Sequence, residues 1–121
     1  MNITIKATQL ELTDELRERI EEIGTKLEKL ASVTDPSSLI CEIEVGKTTA
    51  HHRHGNVFRA EINFSIAGTF MRTEAEGETP RTALDAAYLE MKEKFTHSKQ
   101  ERQGRMRRLG ARIKDAFRWP R

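Results

Sequence analysis

The stretch "NITIKATQLELTDELRERIEEIGTKLEKL", residues 2–30, decides the fold because its hydrophobic period changes partway along. Ile3 and Ile5 alternate with polar side chains, which is the pattern of a half-buried strand. Further on, apolar residues recur every three or four positions and form one stripe of an amphipathic helix, at Leu16, Ile20, Ile23, Leu27 and Leu30. Thr13 can cap this helix, and Asp14 and Glu15 suit its positive end. The order predicts a strand whose crossover helix lies on one face of a sheet.

Three further segments alternate polar and apolar residues and predict strands. They are "CEIEV" (41–45), "FRAEINFSI" (58–66) and "TFMRTEAE" (69–76). The short link at Gly68 favours an antiparallel hairpin of the last two. One face of these strands is rich in glutamate, namely Glu42, Glu44, Glu61, Glu74 and Glu76. This open sheet face would repel a polyanion.

A second amphipathic helix is predicted in "TPRTALDAAYLEMKEKF", residues 79–95. Thr79 can act as its N-cap, and Pro80 suits the first helical position. The element order is therefore β-α-β-β-β-α. We predict an α+β fold, a two-layer sandwich in which a four-stranded sheet carries both helices on one face.

Composition bounds the class of protein. A chain of 121 residues with 36% hydrophobic and 33% charged residues fits one soluble globular domain. No apolar run approaches the roughly 20 residues that span a bilayer, and the N-terminus lacks the apolar region of a signal peptide. We therefore expect a cytoplasmic protein without a membrane partner. The single cysteine, Cys41, allows no internal disulfide and is expected in the core of a strand.

The sequence contains no complete catalytic or metal-binding constellation. The cluster "HHRH" (His51, His52, Arg53 and His54) is the one group that resembles a metal site, but it lacks the three or four suitably placed ligands that a site needs. Nucleophile motifs and glycine-rich phosphate loops are absent from the sequence. We expect no enzyme activity, no metal, no cofactor and no small-molecule substrate.

Positive charge is concentrated at the C-terminus. Residues 97–121 contain nine of the 21 Lys and Arg residues and two acids, a net charge of +7 against −5 for residues 1–96. We predict a folded domain over residues 1–100 and a basic tail over 101–121 that is flexible when unbound, because Gly104 and Gly110 each disfavour a helix by roughly 1 kcal/mol. The tail also has a helical apolar spacing, at Met106, Leu109, Ile113 and Phe117.

Further basic residues lie on the two predicted helices. Arg81, Lys92 and Lys99 fall within about 20° of one another on the second helix. On the first helix, Lys26 and Lys29 share a flank with Arg19, and Arg17 lies on the other side. Lys and Arg neutralise phosphates, so these positions, with the loop and the tail, are candidate RNA contacts. The set is Arg17, Arg19, Lys26, Lys29, Arg53, His54, Arg81, Lys92, Lys99, Arg102, Arg105, Arg107, Arg108 and Arg112.

Three stretches together resemble the ribosome hibernation promoting factor family, which includes ribosome-associated inhibitor A. They are residues 2–30, "AEINFSIAG" (60–68) and "TEAEGETPRTALDAAYLEMKEKF" (73–95) with its Ala-Leu-Asp centre. The similarity covers about residues 1–100 in unbroken order, and the fold of that family is also β-α-β-β-β-α. The resemblance implies a stress or stationary-phase factor that binds the small ribosomal subunit and its rRNA in the mRNA and tRNA channel. Such a factor inhibits translation.

Individual residues carry the resemblance unevenly. Arg17 matches the family's Leu-Arg pair, Lys26 its Lys-Leu pair, and Lys99 a basic position beyond the second helix; His54 matches a polar or basic loop position loosely. The chain departs from the family at Ile23, where a lysine is common, and in "TPRTA" (79–83), which replaces Asp-Met/Leu-Tyr-x-Ala. The resemblance is to the short form, which lacks the dimerisation domain, and we expect a monomer when free.

Two other functions fit the same residues. One is a binding module for another structured RNA, because similar α+β layers bind duplex RNA. The other is a protein-interaction module whose basic amphipathic tail binds a partner or a membrane surface. The sequence leaves open whether ribosomes are only silenced or also paired into dimers.

Overall fold

The computed structural model of the chain describes residues 1–31, 38–48, 57–66 and 68–116, with side chains up to residue 98. Its elements are β1 (Asn2–Thr8), α1 (Asp14–Ala31), β2 (Leu39–Lys47), β3 (Phe58–Ile66), β4 (Thr69–Gly77) and α2 (Pro80–Ala116). The order is β-α-β-β-β-α, and the predicted α+β class is confirmed.

The four strands form one sheet in the order β1-β2-β3-β4. β1 pairs with β2 in parallel because α1 carries the chain back between them, and the other two pairs are antiparallel. The β3–β4 hairpin turns at Gly68, whose φ of 84° lies in the left-handed region that glycine tolerates. The cross-strand register aligns Ile3, Cys41, Phe64 and Met71 in one row on the face that the helices cover.

The core lies between this sheet face and the two helices. The α1 stripe contributes Leu16, Ile20, Ile23 and Leu27, while α2 contributes Ala83, Leu84, Ala87, Met91 and Phe95. The rings of Phe64 and Phe95 meet edge to face, with centroids 6.4 Å apart and planes at 67°. Among the described side chains, Phe95 is the last of α2 that the core buries.

Gly24 lies in the middle of α1, where glycine disfavours a helix. A Cβ at this position would lie 2.7 Å from Cδ1 of Ile3 and 3.2 Å from Cε of Met1. The close approach of α1 to β1 accounts for the missing side chain.

The two helices run parallel and start at the same end of the sheet. The Thr73 hydroxyl donates a hydrogen bond to the Ala87 carbonyl (2.9 Å), and Lys94 donates to the carbonyl of Arg72 (3.0 Å). The residue number therefore increases along α2 as it decreases along β4, which means that α2 runs antiparallel to β4. The crossover helix α1 likewise runs antiparallel to β1. Because β1 and β4 point in the same direction, the two helices are parallel. Residues from both helix starts, including Thr13, Leu16, Thr79 and Pro80, line a common cavity of about 240 Å³.

Hydroxyl caps begin both helices, as their sequences predict. The amide of Leu16 donates to Oγ1 of Thr13 (3.2 Å), and the amide of Thr82 donates to Oγ1 of Thr79 (3.0 Å).

α2 is much longer than the sheet that it covers. Its 37 residues rise by about 55 Å, whereas a strand of nine residues spans about 30 Å. The backbone stays helical across residue 100, where the sequence predicts the boundary between the domain and the tail, and reaches Ala116. The predicted flexibility of the unbound tail remains a prediction, and Phe117 lies outside the described residues.

Candidate nucleic-acid interface

Because the helices are parallel, each end of the helical layer combines charged residues from both α1 and α2. The first half of α1, residues 14–22, has five acids and two arginines, and the first 11 residues of α2, 80–90, have two acids and one arginine. Together they carry a net charge of −4. We call residues 14–22 and 80–90 the acidic end.

The opposite end of the layer is basic. Residues 23–31 of α1 and 91–98 of α2 each hold two lysines and one acid, and residues 99–116 of α2 add seven Lys and Arg residues against two acids. The net charge is +7. We call residues 23–31 and 91–116 the basic end. Its Lys29 lies in the last turn of α1, where a positive charge is electrostatically favourable.

The structure divides the predicted contact residues between these two ends. Lys26, Lys29, Lys92 and Lys99 lie at the basic end, with the tail arginines Arg102, Arg105, Arg107, Arg108 and Arg112 on the same helix. The side chains from Lys99 onward, and the loop residues Arg53 and His54, are outside the described part. Arg17, Arg19 and Arg81 lie at the acidic end, so the basic band expected from the sequence is not continuous.

Arg19 is already bound within the protein. Its Nε lies 2.8 Å from Oδ1 of Asp85, and its Nη1 lies 2.8 Å from Oε2 of Glu22. The hydrogen bond with Asp85, followed by that with Glu22, raises the pKa of Arg19 above its ordinary value. With a side chain only 16% exposed, Arg19 has little surface left for a phosphate.

The other two arginines of the acidic end point to solvent. Arg81 has a side chain that is 70% exposed, and its Nε is 3.8 Å from Oδ2 of Asp85. Arg17 is exposed on the far flank of α1. Both are accessible, but the acids around them lower the local positive potential.

Lys26 and Lys92 are exposed lysines of the basic end. The ammonium of Lys26 lies 5.6 Å from the centroid of the Tyr88 ring, a cation–π contact between α1 and α2. The ring covers one side of the lysine while its ammonium remains at the surface. Lys26 is therefore held in place and available to an anionic partner.

The open sheet face has the predicted glutamates, but arginines partly neutralise them. Pairing places Glu44, Glu61 and Glu74 in one row across β2, β3 and β4. Arg59 and Arg72 each bind Glu61 and Glu74, at 2.6 to 3.0 Å. Hydrogen bonds from Arg59 and then Arg72 hold the pKa of Glu74 below its usual range.

This face still offers a polyanion little attraction. Its arginines are engaged with Glu61 and Glu74, and Glu42, Glu44 and Glu76 add negative charge. Phe70, 64% exposed, is the one aromatic side chain among the described residues of this face, whereas an RNA-recognition sheet stacks bases on several.

Cys41 is fully buried in β2, as predicted. Burial, and next the charge of Glu42, raise the pKa of its thiol to about 12. The thiolate is the reactive form, so this cysteine is a packing residue.

Within the described ranges, no group of three or more metal-binding side chains comes together. The histidine cluster at 51–54 falls outside them. Neither described helix has an apolar stretch long enough to cross a membrane.

Comparison with protein families gives a match over residues 3–103 to the model described as Sigma 54 modulation protein / S30EA ribosomal protein. That range contains β1 from Ile3, the four elements that follow it, and α2 as far as residue 103. We call residues 99–116 the α2 extension. The chain belongs to this family. The family consists of ribosome-associated modulation proteins, which confirms the resemblance drawn from the sequence. A search of curated proteins found no match.

Two solved structures share the fold. The N-terminal domain of Protein Y from Thermus thermophilus is 22% identical, with a TM-score of 0.63 over 80% of this chain and 98% of that one. A ribosomal subunit interface protein from Coxiella burnetii is 14% identical, with a TM-score of 0.61 over 83% of this chain and 99% of that one. At these identities the likeness concerns the fold alone.

Proposed function

We propose that this protein is a cytoplasmic hibernation factor that binds the small ribosomal subunit at the mRNA and tRNA channel and inhibits translation under stress or in stationary phase. Membership in a family of ribosome-associated modulation proteins supports the ribosome as partner. The similar protein from Coxiella burnetii is described as a ribosomal subunit interface protein, which supports a location between the subunits.

The observation that carries the proposal is the separation of charge along the helical layer. Seven units of net positive charge lie at the basic end of a protein whose total net charge is only +2. Lys and Arg bind phosphates by releasing condensed counterions, so such an end binds folded RNA with little reading of bases. The acidic end and the open sheet face orient the protein by repulsion.

The proposed contacts are unequal in kind. Lys26 and Lys92 stand on the packed part of the fold and give fixed points of contact. The arginines of residues 102–112 follow on the α2 extension and give a second, mainly electrostatic grip on rRNA. Blocking the channel needs binding alone, so the proposal includes no catalytic step, no metal and no cofactor.

The test is sedimentation of the purified protein with ribosomes and with separated subunits at two salt concentrations. We expect pelleting with the small subunit, loss of pelleting at the higher salt, and inhibition of translation in a cell-free system at the same protein concentrations. Binding to an unrelated structured RNA with equal affinity would favour a general RNA-binding module. Failure to pellet with either subunit at low salt would refute the proposal.

A further inference from the structure

Asp85 lies between two arginines at the seam of the helices. Its Oδ1 is 2.8 Å from Nε of Arg19 on α1, and its Oδ2 is 3.8 Å from Nε of Arg81, one turn earlier on α2. One carboxylate thus joins α1 to α2. From the sequence, Arg19 is a candidate RNA contact, and Asp85 stands out only as the last residue of the Ala-Leu-Asp centre.

Two carboxylates hold the Arg19 guanidinium in place, one on each helix. Nε donates to Asp85 and Nη1 donates to Glu22, each at 2.8 Å, and the arginine side chain is 16% exposed. Charge-assisted hydrogen bonds are the strong ones, and partial burial protects this pair from the solvent screening that weakens an exposed pair. Such a contact resists rolling or sliding of one helix against the other.

A second contact along the same seam depends on that alignment. Lys26 comes two helical turns after Arg19 on α1, and its ammonium lies 5.6 Å from the ring centroid of Tyr88, which follows Asp85 by three residues on α2. If α1 moved relative to α2, the lysine would leave the ring. The ion pair at the acidic end and the lysine of the basic end are therefore parts of one helix-to-helix contact.

We propose that Arg19 and Asp85 are positioning residues, which set α1 against α2 so that Lys26 and Lys92 meet the RNA together. Arg19 then binds no phosphate. This proposal rests on the proposed ribosome binding, and it assigns to the acidic end a role in organising the basic end.

The test is a double-mutant cycle on ribosome affinity between Asp85→Ala and Lys26→Ala. Asp85→Ala should weaken binding about fivefold, although it removes a negative charge, because Lys26 and Lys92 no longer meet the RNA together. Lys26→Ala should then cost clearly less in the Asp85→Ala background than in the wild type. Circular dichroism at the assay temperature checks that all variants are folded.

Glu18→Ala is the matched control, since it also removes one carboxylate of the acidic end, in this case from the exposed side of α1. It should not weaken binding, and Lys26→Ala should keep its full cost in that background. Arg19→Ala should weaken binding as much as Asp85→Ala does. If Arg19 itself bound a phosphate, Asp85→Ala would release it for that contact and would not weaken binding.

The outcomes separate the two proposals. A wild-type protein that does not bind ribosomes overturns the proposed function and the positioning role with it. A wild-type protein that binds, combined with additive costs in the cycle or with an Asp85→Ala variant that binds as tightly as the wild type, overturns the positioning role alone.

Discussion

The two ends of the helical layer share one architecture and differ in charge. Both consist of segments of α1 and α2 that bury apolar residues on the same sheet: Leu16, Ile20 and Leu84 at the acidic end, Leu27 and Met91 at the basic end. The acidic end carries −4, and its Arg19 is bound by Asp85 and Glu22, whereas the basic end carries +7. Buried residues set the fold at both ends, whereas the solvent-facing residues give the two ends opposite charge.

The difference shows that the position of a basic residue on a helix face does not by itself make its charge available to a partner. Arg19 and Lys26 lie on the same flank of α1, two turns apart. Arg19 forms an intramolecular ion pair, whereas Lys26 contacts an aromatic ring and keeps its charge at the surface. Local partners decide which charge can reach a phosphate.

Deleting residues 101–121 should have the largest effect on the charge difference between the two ends and on ribosome binding. It removes most of the net positive charge of the basic end. The core should survive, since Phe95 is the last buried α2 side chain among those described. Ribosome affinity should fall about 100-fold, and its salt dependence should flatten by about one unit for each lost phosphate contact. Affinities measured at several salt concentrations, with thermal unfolding as the check on folding, give the answer. Unchanged affinity and slope would show that the extension has another partner.

Thr73→Val should affect stability and leave binding intact, which would separate the anchoring of α2 from its function. The buried hydroxyl of Thr73 donates to the carbonyl of Ala87 at 2.9 Å, and valine has the same shape without that donor. We expect a loss of about 1 kcal/mol in the free energy of unfolding. A chemical denaturation curve measures it. A large loss of ribosome affinity in the folded variant would mean that the anchoring of α2 on β4 also positions the RNA contacts.

Neutralising the acidic end should have a smaller effect of opposite sign. Glu18 and Glu21 lie on the exposed side of α1 and line a groove with Lys26 and Lys29. Glu18→Gln with Glu21→Gln should tighten ribosome binding about twofold at low salt, because screened repulsion of RNA is reduced. The gain should vanish at high salt. Weaker binding of this variant would indicate that these carboxylates contact a protein of the ribosome.

The spacing of apolar residues along the sequence predicted most of the fold. The change from alternation to a three-four spacing located β1 and α1, and Gly68 located the hairpin, because these signals report which side chains must be buried. From the sequence alone, Gly24 only lowers the stability of the helix. The structure explains the glycine, because a Cβ there would collide with Ile3 of β1. The extent of α2 could not be deduced, because Gly104 and Gly110 argue against a helix locally.

The candidate site was harder to predict than the fold, for a physical reason. A helical wheel places Arg19 and Lys26 on one flank but gives neither the direction of α2 nor its register against α1. The pairing of Arg19 with Asp85 spans 66 residues and depends on both helices starting at the same end of the sheet. Sequence periodicity predicts faces, whereas ion pairs between elements require the tertiary arrangement.

If the basic end binds the ribosome and the acidic end does not, two double variants with the same change in charge should behave differently. They are Lys26→Gln with Lys92→Gln at the basic end, and Arg17→Gln with Arg81→Gln at the acidic end. All four side chains are exposed, so both proteins should fold. The measurement is ribosome affinity as a function of salt. We expect the lysine pair to cost about 30-fold in affinity and about two units of slope, and the arginine pair to change affinity less than about threefold with no change in slope. Equal losses from the two pairs would contradict the assignment of binding to the basic end.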